Sequence, residues 1–145
     1  MSQFVAPHSI TALIVYALWA IALVIVLAIV RTVAVLGGRA QANSFTAGTP
    51  HGGDAYWRLN RAHLNTLENL PIFAAIVLSG WVVGMENAMF NRLAVIVVIA
   101  RLVQSLIHLA SGSVLAVTLR FTAFAVQLVC EIWMAVLVLQ QGGIV

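Results

Sequence analysis

The sequence predicts an all-α membrane protein, a bundle of four transmembrane helices in a single domain that covers residues 1–145. The composition is 63% hydrophobic and 8% charged, and the mean hydropathy is +1.07. A soluble domain contains about 25% charged residues, so this composition is typical of a membrane protein. The apolar residues also fall into four long segments, and roughly 20 apolar residues are needed for one crossing of a bilayer.

The first helix is predicted at residues 10–36, whose first part is apolar over a length sufficient to cross a bilayer. Ser9 is in position for an N-cap, and the pair Gly37 and Gly38 ends the helix. Residues 39–56 are predicted to form the one long loop, because glycine, proline, serine, threonine and asparagine are frequent there and favour turns.

The second helix is predicted at residues 55–84, with Asp54 as its N-cap and Pro71 inside it. A proline there frees one backbone carbonyl and can bend the helix, which neighbouring membrane helices tolerate. A short polar turn leads to the third helix at residues 93–110, and a tighter turn leads to the fourth helix at residues 114–140. No segment is long enough to form a soluble domain.

Three of the predicted helices carry polar side chains spaced three, four or seven residues apart, so each helix has one polar face. These residues are Arg58, Arg61, Asn65 and Glu68, then Arg101, Gln104 and His108, then Arg120, Gln127 and Glu131. Lipid cannot satisfy such faces, so they must face protein or water. The surplus of arginine indicates a site for an anionic ligand. The alternative is structural, with Glu68 and Glu131 each paired to one arginine.

The sequence argues against other kinds of partner. It contains no basic run interleaved with aromatic residues, so we expect no nucleic-acid partner despite the net charge of +3. No group of histidine, cysteine and acidic residues has the spacing of metal ligands, so we expect no metal. The single cysteine, Cys130, rules out an intrachain disulfide.

The arginines predict how the chain is oriented, because positive residues favour the cytoplasmic ends of membrane helices. Four of them flank the loop at residues 39–56, and Arg120 lies on the same side, near the turn between the third and fourth helices. We therefore expect this side, with the anion site, to face the cytoplasm and both termini to lie outside it. Arg92 is the exception on the opposite side.

The start of the second helix carries a resemblance to a known family. The residues are Arg61-x-His63-x-Asn65-x-x-Glu68-Asn69-x-x-Pro71. This segment resembles the signature of the MAPEG family, the membrane-associated proteins in eicosanoid and glutathione metabolism. Arg101 in the third helix and Arg120 in the fourth extend the resemblance over nearly the whole chain. It implies a homotrimer with sites between neighbouring protomers. The short extramembrane parts favour a bacterial-type member in an inner membrane.

The predicted glutathione-binding residues are Arg58, Arg61, Asn65, Glu68, Arg101, His108 and Arg120. The resemblance implies that Glu68 also orients an arginine and that Arg101 binds a carboxylate. It also implies that Arg120 lies beside the sulfur as the catalytic residue, since a nearby cation favours the thiolate. An arginine of the first helix contributes in some members, and the spacing leaves Arg31 and Arg39 open for that part.

The sequence departs from the prostaglandin synthase branch, which has Ser and Tyr at the positions of Phe121 and Phe124 and Tyr at the position of His108. We therefore do not expect prostaglandin E synthesis. The predicted function is a detoxifying, microsomal-type glutathione transferase that conjugates hydrophobic electrophiles and also reduces lipid hydroperoxides. The alternative is a non-catalytic trimer that binds and presents lipid. A multidrug exporter is disfavoured, because residues 10–30 contain no acidic residue.

Overall fold

The protein consists of four long α-helices in the computed structural model, which describes residues 7–46 and 52–143. They are α1 (His8–Leu36), α2 (Asp54–Val82), α3 (Ala88–Ala110) and α4 (Val114–Gln141). The prediction of an all-α chain with four helices is confirmed. Within the described residues, α1, α3 and α4 are long and apolar enough to cross a membrane. The crossing of α2, whose first half is charged, stays a prediction.

The residues predicted as N-caps of the first two helices are not the N-caps in the structure. Pro7 precedes α1, and its carbonyl accepts hydrogen bonds from the Ile10 and Thr11 backbone nitrogens. Ser9 lies inside the helix, and its backbone nitrogen donates to Asn91 Oδ1 at 3.0 Å. Ser9 is therefore not the N-cap. Asp54 is likewise the first residue of α2, where its negative charge complements the helix dipole.

The third helix begins at Ala88, well before the predicted residue 93, because a polar side chain in the supposed turn caps it. Asn87 Oδ1 accepts hydrogen bonds from the Met89 and Phe90 nitrogens at 2.7 and 3.3 Å. At the preceding junction, α2 ends at Val82 rather than residue 84. Gly84 has a φ of +67°, a left-handed conformation that ends helices and that glycine adopts without strain.

The helices form an up-down-up-down bundle, as the contacts between them show. Tyr16 Oη donates to the Thr66 carbonyl at 3.4 Å, and Arg31 Nε donates to Tyr56 Oη at 2.9 Å. These two contacts make α1 and α2 antiparallel. The C-terminal end of α3 lies at the same end of the bundle, because Arg58 Nε donates to the Leu109 carbonyl at 3.2 Å.

A small apolar cluster of Leu23, Leu27 and Leu59 lies near this arginine-rich end, and the main apolar core fills the half of the bundle farthest from it. Its buried members include Tyr16, Phe73, Val77, Phe90, Val97 and Met134. Gly80 lets α2 approach α3 closely, since a Cβ atom at this position would lie 2.6 Å from Phe90 Cζ. The close contact leaves no space for a side chain at this glycine, because Phe90 is itself buried.

Replacing this glycine tests the packing of α2 on α3. We expect Gly80→Val to destabilise the detergent-solubilised protein by about 1–3 kcal/mol, because overpacking a buried site costs that much. Thermal unfolding followed by circular dichroism measures the change. Ala22→Val is the matched control, since Ala22 is exposed on α1 and should change stability by less than about 0.5 kcal/mol. Equal stability of the two variants would contradict the packing described here.

Candidate functional site

A cavity of about 410 Å³ lies between α2, α3 and α4. Its lining residues are Asn65, Glu68, Asn69, Ile72, Arg101, Gln104, Phe124 and Leu128. Three of them, Asn65, Glu68 and Arg101, are among the predicted ligand-binding residues. The volume lies within the range of about 300–1,000 Å³ that is typical of small-molecule sites.

Arg101 supplies a positive charge to the wall of this cavity. The side chain is 2% exposed, and its guanidinium lies 5.7 Å from the centre of the Tyr16 ring. Its Nε and Nη2 atoms are buried and have no hydrogen-bond partner in the described part of the chain. A buried cation without a hydrogen-bonded acid is costly, so the geometry favours an anionic ligand beside it.

Glu131 and Arg101 are not joined by a hydrogen bond in the described part of the chain, although the charges of Glu131 and Glu68 both act on Arg101. The structural alternative, in which these two acids each pair with one arginine, stays a prediction. Glu131 Oε1 accepts a hydrogen bond from Asn69 Nδ2 at 2.7 Å, while Oε2 is buried without a partner. Glu68 is exposed on the cavity side of α2. Asn69 thus binds one carboxylate oxygen of Glu131, and the guanidinium of Arg101 packs on the Tyr16 ring.

The other predicted site residues form an arginine cluster around His108, outside the cavity. His108 is 9% exposed, and the charges of Arg120, Arg61 and Arg58 all act on it. His108 and Arg101 share a face of α3 and are separated by seven residues, a rise of about 10 Å. The cluster is thus about two helical turns closer to the arginine-rich end than Arg101. Arg120, the predicted catalytic residue, does not line the cavity of a single chain.

Arg31 and Arg39 were the two candidates for an arginine that the first helix contributes to the site. Neither of them lines the cavity. Arg31 donates to Tyr56 Oη at 2.9 Å and to Asn60 Oδ1 at 3.5 Å, and its guanidinium lies 5.3 Å from the centre of the Phe45 ring. These contacts hold the loop after α1 against α2. Arg39 lines a separate groove with Phe45.

Several residues that line or support the cavity were not predicted as ligands. Asn69 and Gln104 lie on or beside the polar faces, and their position next to Glu68 and Arg101 could have indicated them. Tyr16 is a different case, because a tyrosine inside an apolar segment gives no sign that it packs on a buried guanidinium.

The cavity combines groups of opposite character in a small volume. Arg101 and Glu68 offer charges of opposite sign, and three amides offer donors and acceptors, while Ile72, Phe124 and Leu128 form an apolar wall. Such a site suits a small zwitterionic molecule placed next to an apolar one. Within residues 7–46 and 52–143, no group of three or more histidine, cysteine or acidic residues could hold a metal ion.

Comparison with known proteins identifies the family. The model of the MAPEG family matches residues 9–140, which is nearly the whole chain. No curated protein gives a significant match. The match agrees with four helices, of which α1, α3 and α4 among the described residues could cross a membrane. The chain is therefore an integral membrane protein that belongs to the MAPEG family, the proteins of eicosanoid and glutathione metabolism.

Proposed function

We propose that the protein is a glutathione-dependent transferase that conjugates hydrophobic electrophiles, assembled as a homotrimer in a bacterial inner membrane. The observation that carries the proposal is the buried guanidinium of Arg101, whose Nε and Nη2 atoms have no hydrogen-bond partner in the described part of the chain, at the wall of a cavity that also holds Glu68 and Asn65. Glutathione has two carboxylates and one ammonium group. In the cavity, Arg101 would bind one carboxylate of glutathione and Glu68 would bind its ammonium group. Asn65 adds a polar contact.

The second carboxylate and the thiol have partners at the arginine cluster. The site extends from Arg101 toward His108, around which Arg58, Arg61 and Arg120 lie. We assign stabilisation of the thiolate to Arg120, since a nearby cation favours the ionised sulfur. The thiolate then forms a carbon–sulfur bond with an electrophile that arrives from the lipid. The apolar wall of Ile72, Phe124 and Leu128 suits such a substrate.

A trimer explains the charges that a single chain leaves exposed. Glu68 is exposed, and it lies about 21 Å from the start of α2, near the middle of this helix. Arg61 is exposed on the same face. Exposed charges at this depth are costly in lipid, and a neighbouring protomer would cover them and close the cavity. The arginine-rich end would then face the cytoplasm.

One observation favours the second candidate, a non-catalytic trimer that binds lipid. Phe121 is 68% exposed and Phe124 lines the cavity, so two aromatic rings follow Arg120 on α4. An apolar surface of this kind could hold an acyl chain without any reaction. The two candidates differ in what they do to the thiol of glutathione, because only the transferase ionises it.

Removing Arg120 tests the proposed mechanism. We expect wild-type protein mixed with glutathione to show the ultraviolet absorbance of a thiolate at neutral pH, and Arg120→Ala to lose it. One nearby cation changes a pKa by about 1–3, so the conjugation rate should fall at least about tenfold. Calorimetry should show that Arg120→Ala still binds glutathione, because Arg101 remains.

Arg92→Ala is the matched control for this experiment. Arg92 is an exposed arginine on α3 at the opposite end of the bundle, so its removal should change neither the thiolate absorbance nor the rate. Thiol chemistry that is unchanged in Arg120→Ala would overturn the mechanism. Acyl-chain binding by a wild-type protein that forms no thiolate would support the lipid-binding trimer instead.

Arg101 is predicted to bind a carboxylate of glutathione, and a comparison with an esterified ligand tests this. Wild-type protein should bind glutathione diethyl ester at least about tenfold more weakly than glutathione, since a charge-assisted hydrogen bond contributes about 1.5–3 kcal/mol. Arg101→Gln should lose most of this discrimination in calorimetric titrations. If Arg101→Gln discriminated as strongly as the wild type, the carboxylate would bind elsewhere.

The mass of the assembled protein tests the trimer. Native mass spectrometry in detergent should give three times the chain mass of 15.5 kDa. A monomer that retains conjugation activity would contradict the proposal that a neighbouring protomer completes the site.

A further inference from the structure

A second layer of polar contacts lies behind the cavity. Gln127 and Glu131 are four residues apart on α4 and are 0% and 2% exposed. Glu131 Oε1 accepts a hydrogen bond from Asn69 Nδ2 at 2.7 Å. Gln127 Nε2 donates one to Gln104 Oε1 at 2.8 Å. Since Asn69 and Gln104 line the cavity, each of the two α4 residues holds one amide of its wall.

The chemistry of the partners determines which end of each amide points toward α4. The amino end of Asn69 points to Glu131 Oε1, because a carboxylate oxygen without a proton only accepts hydrogen bonds. Gln127 Nε2 also donates to the Ala123 backbone carbonyl at 3.0 Å, and a carbonyl likewise only accepts. The amino end of Gln127 is therefore fixed, and it requires the carbonyl end of Gln104.

The opposite ends of these two amides remain available to a ligand. In residues 7–46 and 52–143, neither Asn69 Oδ1 nor Gln104 Nε2 takes part in a side-chain hydrogen bond. The cavity wall thus offers one acceptor and one donor of defined position. Arg101 lies one helical turn from Gln104 on the same face of α3, so a cation adjoins this pair.

A secondary amide has the complementary pattern, because its N–H group donates and its carbonyl accepts. We propose that Gln127 and Glu131 are positioning residues that make the cavity selective for thiols containing a peptide group, an inference that rests on the proposed glutathione-dependent function. The peptide N–H donates to Asn69 Oδ1, and the peptide carbonyl accepts from Gln104 Nε2. A carboxylate of the same ligand binds Arg101.

Packing alone does not explain these two residues. Gln127 Oε1 and Glu131 Oε2 are buried without hydrogen-bond partners in the described part of the chain. Apolar side chains of similar volume would avoid the cost of burying unsatisfied polar atoms and an ionised carboxylate. Orientation of Asn69 and Gln104 for a ligand gives these two buried polar residues a function besides joining the helices.

Ligands that lack one peptide N–H group test the inference on the wild-type protein. Two analogues of glutathione are needed, in each of which an ester oxygen replaces one of the two peptide N–H groups. The analogue altered at the recognised peptide should bind at least about tenfold more weakly than glutathione in calorimetry, since an oxygen atom would then face the acceptor Asn69 Oδ1. Equal binding of both analogues and glutathione would overturn the inference.

The variant Glu131→Gln tests the positioning role without a change in volume. A glutamine side chain can donate or accept, so Asn69 could present either end to the cavity. We expect the discrimination between glutathione and the ester analogue to fall at least about fivefold, with a higher KM for glutathione and a kcat within about twofold. Discrimination between glutathione and its diethyl ester, which depends on Arg101, should persist.

Glu86→Gln is the matched control, since Glu86 is an exposed carboxylate outside the bundle interior and should alter none of these values. If Glu131→Gln lowered stability but kept full discrimination against the ester analogue, Glu131 would be structural only. If glutathione itself failed to bind and to ionise, the proposed function would fail. Normal thiolate formation without any discrimination between peptide and ester would instead overturn this inference alone.

Discussion

Lipid offers no hydrogen bonds, and this constraint governs the arrangement of polar side chains in the bundle. The interior residues of α2, α3 and α4 are accordingly joined in pairs, with Asn69 bound to Glu131 and Gln104 bound to Gln127. Arg101 belongs to neither pair, and its Nε and Nη2 atoms, like Gln127 Oε1 and Glu131 Oε2, are buried without a hydrogen-bond partner within the described chain. We propose that an anionic ligand in the cavity binds Arg101 and completes this polar layer.

The start of α4 and its later turns contribute to two different regions of the proposed site. Near its start, Arg120 belongs to the arginine cluster around His108, where a thiol would be ionised. Two and three turns further along, Gln127 and Glu131 support the amides of the cavity wall from behind. In the proposed function, α4 would therefore contact both the reacting sulfur and the part of the ligand that binds in the cavity. A shift of α4 along its axis would disturb both functions together.

Periodicity predicted the helices and their polar faces, because helix geometry relates residues of one segment to each other. Asn87 was mistaken for a turn residue, since asparagine favours both turns and N-caps. The sequence left open whether Glu131 pairs with an arginine. Distances between helices depend on packing, which spacing along one helix does not determine. For the same reason the sequence could not show that Tyr16 lies beneath Arg101 or that Gln127 orients Gln104.

The central claim is that the cavity beside Arg101 is the binding site of a glutathione-like ligand. A density map of the detergent-solubilised assembly with an unreactive S-alkyl glutathione would test it most directly. We expect density for the peptide in the cavity, with a carboxylate at Arg101 and the sulfur directed toward Arg120. Ligand density at another surface, with an empty cavity and a neighbouring acid paired to Arg101, would contradict it.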